Sequence, residues 1–435
     1  MAEEEAKEVV EDSKEASGAE APAAENEGGT GAPVENGETN SSGNRAQLAE
    51  FPMEWTQMGQ CDAANAPANV IRYPSDVGEI SKEDTEIMIV GTAGQKITRI
   101  GQQFHETASP ELTRLILRSH LIKSMEGLEG FKHLQLLELY DNMVEELKNL
   151  NDGEDGTPGS TLTVLDMSYN VIRDMDPVSF CPNLTELYLA NNKLKTMAGL
   201  KGLSKLRKID LGANRIRIMD AEELSGLVSL EELWLGKNKI EKIEGLENLK
   251  NLRRLDVQSN RITQVENLTS QNDTLEELFL GHNGITSEGI TLESGLAQAF
   301  PNLNVLDLSR NRIISTAPLA HLTSLEELWL SGNKIASFTD VEPLSALGSH
   351  GLDTVYLEYN PVADEFEYRK KLAEFIPSLK QIDATMIGGL AHHGIPGVAR
   401  SGGTAETVEE QMRRLQGAAI ARAKKQTEEQ KKNSE

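Results

Sequence analysis

Cysteine, aromatic residues, positive charge and long apolar runs are all scarce in this chain, and each scarcity closes off a class of function. The two cysteines, Cys61 and Cys181, form neither a metal-ligand nor a redox spacing. No run of 18 apolar residues and no secretory core is present, which predicts an intracellular chain that does not enter a membrane. A formal charge of −26 repels nucleic acid phosphates and anionic lipid, leaving basic or neutral proteins as the expected partners. Catalytic patterns are missing too: there is no glycine-rich phosphate loop with its lysine, no H-E-x-x-H and no G-x-S-x-G. The eight histidines are scattered, and His392-His393 stands in a glycine-rich stretch. Neither an enzyme nor a cofactor or metal site is expected.

What is present is a repeat. Aligning L-x-x-L-x-L-x-x-N-x-I places asparagine at 142, 170, 192, 214, 238, 260, 283, 311, 333 and 360, with His120 in the same slot of an earlier copy. Successive slots are 22 to 28 residues apart. Eleven registered copies at that period are the leucine-rich-repeat signature. The expected fold is an α/β solenoid: a curved horseshoe with a parallel sheet on its concave face, capped at both ends. In each copy two leucines bracket a short strand, and the asparagine amide bonds to backbone groups that the turn would otherwise orphan.

The organisation expected from this pattern has five parts. Residues 1–85 form an acidic N-terminal tail, disordered to about residue 45 because Glu, Ala, Gly and Ser bury too little surface, and extended or loosely packed beyond. Residues 86–111 cap the first coil, 112–362 carry about eleven repeats, and 363–387 close the last coil. Residues 388–435 form a flexible tail in which VEEQMRRLQGAAIARAKKQTEEQKK is a solvated helix.

The residue between the leucines of each L-x-L is expected to point to the concave side, into solvent. In chain order these are Ile116, Glu138, Asp166, Tyr188, Asp210, Trp234, Asp256, Phe279, Asp307, Trp329 and Tyr356. After the first, every one is acidic or aromatic. Aromatics favour strands and acids favour water, so part of this needs no function. Yet five of the chain's nineteen aromatics fall on these eleven positions. Exposed aromatic anchors interleaved with carboxylates suit capture of a basic protein. On this reading the ladder is surface and not core, so truncating Trp329 is expected to leave folding nearly unchanged.

Several segments carry a family resemblance. EKIEGLENLKNL, SMEGLEGFKHL, the opening KITRIGQQF and the ending LDTVYLEYNP…YRKKLAEFIPSLKQIDAT resemble the leucine-rich-repeat regulatory subunit of type-1 serine/threonine protein phosphatase. The similarity spans residues 87–386. It implies a non-catalytic subunit whose concave face holds the phosphatase catalytic subunit, with a further inhibitor protein as a third partner and a nuclear and cytoplasmic location. It further implies acidic contacts at Asp166, Asp307 and Glu327 and aromatic contacts at Trp329 and Tyr356. At Tyr188 and Trp234 the family more often has phenylalanine, and at Asp210 a glutamate. The N-terminus, the loop NDGEDGTPGS at 151–160 and the chain after Met386 depart from the family, whose short aromatic ending is missing. The basic-Val/Ile-x-Phe peptide of many phosphatase regulators is also missing: DPVSF at 176–180 is acidic ahead of its V-x-F. Docking would then fall to the folded face of a chain that is monomeric before it binds. The competing expectation is a repeat scaffold of another assembly, such as a spliceosomal or axonemal particle.

Overall fold

A computed structural model describes residues 53–56, 82–92, 96–100, 108–125, 127, 128, 130–150 and 158–387. Most of the expected N-terminal tail, the whole tail from residue 388 with its helix, and residues 151–157 lie outside the described residues. No helix among the described residues is long and apolar enough to cross a membrane.

Each repeat contributes one short strand followed by a return path. The strands are β2 (Glu86–Val90), β4 (Arg114–Arg118), β5 (Leu136–Glu138), β6 (Val164–Asp166), β7 (Glu186–Tyr188), β8 (Lys208–Asp210), β9 (Glu232–Trp234), β10 (Arg254–Asp256), β11 (Glu277–Phe279), β12 (Val305–Asp307), β13 (Glu327–Trp329), β14 (Thr354–Tyr356), β15 (Gln381–Ile382) and β16 (Thr385–Met386). They form one fourteen-stranded sheet in chain order, parallel throughout except for the final β15–β16 pair. Outside it, β1 (Met53–Thr56) pairs antiparallel with β3 (Lys96–Ile100). Residues 53–56 lie in the stretch expected to be extended or loosely packed, and here they are an extended strand. Met53-Glu54-Trp55-Thr56 is short but strand-prone, and β3 offers it an edge.

The apolar rows explain the coil. Leu165, Leu187, Ile209, Leu233, Leu255, Leu278, Leu306 and Leu328 are fully buried at the middle of successive strands, and rows such as Leu246, Leu249 and Leu252 face them from the return path. One continuous core therefore runs the length of the described solenoid.

The asparagine slot joins coil to coil. Asn238 Oδ1 accepts the N–H of Ile216, one coil earlier, at 3.0 Å. Its Nδ2 donates to the carbonyls of Leu211 in that earlier coil (2.9 Å) and Leu235 in its own (3.0 Å). The other nine asparagines accept from the preceding coil in the same way. At the first slot the imidazole of His120 replaces the amide: Nδ1 accepts the N–H of Ile97 and Nε2 lies 3.1 Å from the Ile89 carbonyl. Acceptance at Nδ1 puts the proton on Nε2. Burial, opposed by the Ile89 bond, holds this imidazole at a pKa of about 4, so it is neutral.

The residue before every slot is left-handed. Ser119, Asp141, Tyr169, Asn191, Ala213, Lys237, Ser259, His282, Arg310 and Tyr359 have φ between 51° and 61°, and only Asn333 is preceded by a glycine, Gly332. Each non-glycine here costs roughly 1 kcal/mol, which the slot's hydrogen bonds outweigh. At the far end, Asp383 Oδ1 takes over the acceptor role for the N–H groups of Leu357 (2.8 Å) and Glu358 (3.0 Å). The helix Tyr368–Phe375 buries Leu372 against the last coil, and its Arg369 donates to the Ile382 carbonyl at 2.7 Å.

Two stability measurements check this account. Asn238→Ala leaves buried backbone groups of two coils unpaired and is expected to lower unfolding free energy by roughly 1–3 kcal/mol in a denaturant titration. Ala213→Gly removes a methyl from a left-handed position (φ 53°) and is expected to raise it by about 1 kcal/mol.

Candidate functional site

Because side chains alternate across a strand, residues one and three of each three-residue strand share the concave face while the middle leucine faces the core. Two in-register columns result. The ladder column from β6 to β14 reads Asp166, Tyr188, Asp210, Trp234, Asp256, Phe279, Asp307, Trp329, Tyr356. The column beside it, from β7 to β13, reads Glu186, Lys208, Glu232, Arg254, Glu277, Val305, Glu327. All ten expected contact residues therefore lie on one surface.

That surface is far less open than the sequence reading supposed. Ile116, Glu138, Asp256, Phe279 and Asp307 are buried, and Asp166, Tyr188, Asp210, Trp234, Trp329 and Tyr356 are half-buried. Neighbouring strands lie only about 4.8 Å apart, so an aromatic ring in one coil overhangs the carboxylate of the next. Trp329 packs edge-on against Phe279 (centroids 6.1 Å apart) and Tyr356 (5.7 Å). Truncating it therefore costs stability, about 1 kcal/mol for ring contacts of this kind, against the expectation of a free surface residue.

The aspartates are built in by a local device. Asp166, Asp210, Asp256 and Asp307 each accept the backbone N–H two residues on, from Ser168, Gly212, Gln258 and Ser309, at 2.8 to 3.0 Å. A glutamate has too long a side chain for this turn-like bond. Room for Asp307 comes from Gly281, where a Cβ would stand 2.5 Å from its Oδ2. Burial pushes the Asp210 and Asp307 carboxyls up to about 6 against those hydrogen bonds, with Asp256 adding like-charge repulsion to both. Burial raises Asp166 and Asp256 as well.

The aromatic rungs divide into satisfied and unsatisfied ones. Tyr188 donates its hydroxyl to Glu186 (2.7 Å) and Trp234 its indole N–H to Glu232 (3.1 Å), each two residues back on the same face. Lys208 lies 5.9 Å from the Tyr188 ring centre and 5.5 Å from that of Trp234, and bonds Glu232 at 3.1 Å. Arg254 is sandwiched between Trp234 (4.0 Å) and Phe279 (4.4 Å) and is paired with Glu277. At β12 the pattern breaks. Val305 occupies the cation's place, no cation among the described residues pairs with Asp307, and the buried indole N–H of Trp329 finds no acceptor. Lys208 and Arg254 were missed by sequence reasoning. The signal was available: ELY, KID, ELW, RLD and ELF alternate acid and base two residues before each rung, the place that Glu327 holds before Trp329.

Among the described residues no group of three or more His, Cys, Asp or Glu could hold a metal ion. Cys181 is buried, and burial pushes its thiol up to about 12, so it is no nucleophile at neutral pH.

The raised carboxyls set a pH dependence. A carboxyl more basic folded than unfolded weakens the fold while ionised, so stability rises as pH falls through about 6, and the gain is complete below the ordinary aspartate value of about 4. Asp307→Asn keeps an acceptor for Ser309 and is expected to raise stability at pH 7.5 by roughly 1–3 kcal/mol. In thermal melts at pH 7.5 and 5, the wild type should gain more on acidification than the variant does.

Sequence families described as leucine-rich repeats match residues 160–202, 228–270 and 301–346, and further at 182–240 and 271–292. A protein phosphatase 1 regulatory inhibitor subunit homologue of Arabidopsis thaliana is 31% identical over 181 residues, 41% of this chain. That match spans 53% of the Arabidopsis protein, about half its length. The protein phosphatase 1 regulatory subunit SDS22 of Schizosaccharomyces pombe is 44% identical over 71 residues, 16% of this chain and 21% of the yeast protein. Among solved structures, a leucine-rich-repeat protein of Leptospira interrogans superposes with a TM-score of 0.56 at 25% identity, covering 66% of this chain and 69% of that one. The chain is a leucine-rich-repeat solenoid, similar in sequence to the regulatory subunits of protein phosphatase 1.

Proposed function

We propose that this chain is a non-catalytic regulatory subunit that binds the catalytic subunit of type-1 protein phosphatase through its acidic and aromatic concave face. The observation that carries the reading is the unsatisfied rung at β12–β13. A buried carboxylate without a cation and a buried indole N–H without an acceptor both cost free energy in the isolated chain. A partner that brings a cation to Asp307 and an acceptor to Trp329 relieves both, so binding energy concentrates there. The relatives named as phosphatase regulators support type-1 phosphatase as that partner.

In this reading Asp166, Tyr188, Asp210, Trp234, Asp256, Phe279, Asp307, Glu327, Trp329 and Tyr356 form the contact surface. The outer rungs and the unsatisfied pair contribute most, because the middle rungs already hold internal cations. The bound face covers part of the phosphatase, which restricts its substrates or holds an immature enzyme. A further inhibitor protein joins the complex in the nucleus and cytoplasm. The chain itself is monomeric before binding.

Titration calorimetry against purified catalytic subunit tests this. Wild type is expected to bind, Trp329→Ala to bind more weakly by roughly 2–4 kcal/mol, and Trp329→Phe, which keeps the ring contacts but not the N–H, to fall between them. Binding should also weaken as pH drops below about 6, where Asp210 and Asp307 take up protons. Absence of heat with the wild type would sink the assignment and favour a scaffold of another assembly.

A further inference from the structure

The occupied rungs are a template for what the face accepts. At β10 a guanidinium lies between the rings of β9 and β11, with a carboxylate on its own strand (Asp256) and another on the following strand (Glu277). At β8 an ammonium lies between the rings of β7 and β9, with Asp210 on its own strand and Glu232 on the next. The β12 rung repeats the surroundings: Phe279 and Trp329 on either side, Asp307 on the strand, Glu327 on the next. Only the cation is replaced, by the buried Val305, and there the two rings close on each other edge-on with centroids 6.1 Å apart. The same residue types thus recur at three rungs; the chain fills two with its own cations and leaves the third with its rings in contact above Asp307.

We infer that Lys208 and Arg254 are selectivity residues, built-in occupants that shut the two middle rungs against a partner's cation, so that a basic partner is directed to the rungs with no cation of their own, Asp307 at β12 foremost. The inference rests on the reading of the concave face as the docking surface and adds to it a register. A cation stacked on an aromatic face and paired with carboxylates is displaced only if the incoming one binds better than an intramolecular group already in place. A partner with one lysine or arginine aligned to β12 therefore fits, and the same partner shifted by two coils meets Arg254. Like charge at the wrong register costs affinity, which is how an otherwise repetitive surface specifies one alignment.

The probe is a hexa-arginine peptide, titrated into the full chain. The comparison is Arg254→Ala against Arg253→Ala: both remove one positive charge, but Arg253 pairs with Glu276 outside the ladder. If Arg254 shuts a rung, Arg254→Ala binds the peptide about tenfold more tightly than Arg253→Ala, the gain from one newly opened cation site. Equal affinities for the two variants would show that only long-range charge matters and overturn the inference. Should Arg254→Ala melt too early to titrate, Lys208→Ala against Lys205→Ala makes the same comparison at β8, with tighter binding supporting the inference and equal binding overturning it. Failure of the phosphatase to bind wild type would remove the functional assignment and leave the peptide comparison standing. Equal peptide affinities alongside intact phosphatase binding would remove only the selectivity role.

Discussion

Ten asparagine amides and one imidazole, each buried or nearly so at the same point of its coil, are the interaction on which the rest of the structure depends. Each joins the strand end of its own coil to the backbone of the coil before it. Apolar stacking alone is non-directional and would tolerate sliding of one coil over the next. The amides are directional and have one register in which all their donors and acceptors are met. They also hold a left-handed residue in nearly every turn, a conformation that L-residues avoid in isolation. Register passes from neighbour to neighbour, as expected of a solenoid in which coils touch only adjacent coils.

That register makes the concave face a lattice. With strands held in line, the same side-chain position recurs at the strand spacing, and like residues form columns. Acid alternates with aromatic in one column, and from β7 to β11 acid alternates with base in the other, so each cation falls between two rings and beside two carboxylates. The middle of the lattice supplies its own cations, although the buried Nε of Arg254 finds no acceptor. Its C-terminal part does not, because Val305 interrupts the alternation and strands an anion and an indole donor under their neighbours. Places where a protein tolerates such a cost are where binding is concentrated in general, since relief of the cost becomes binding energy.

Much of this was legible in the residues. The slot positions from His120 to Asn360, the strands and the choice of concave positions follow from a period repeated often enough to exclude coincidence. Nine of the ten contact candidates followed from alternation within each L-x-L, and the tenth, Glu327, from the family resemblance. Their environment did not. Asp256, Phe279 and Asp307 were expected to meet water and are buried, because a period-two argument assigns a side but says nothing of how far an indole or a guanidinium leans across to the next coil. Lys208 and Arg254 were overlooked for a related reason: surface charges two residues from a ladder read as solvated until their distances to Trp234 and Phe279 are known. The pairing of Met53–Thr56 with Lys96–Ile100 has no repeat to announce it.

The sequence by itself determined the coil count, the register and the columns, because each is set by local spacing and by hydrogen bonds between residues one repeat apart. Only the tertiary structure decided which rungs are filled and which are open. Charge compensation at Asp307 or Trp234 depends on side chains from three consecutive coils meeting within a few ångströms, and no single repeat contains that information.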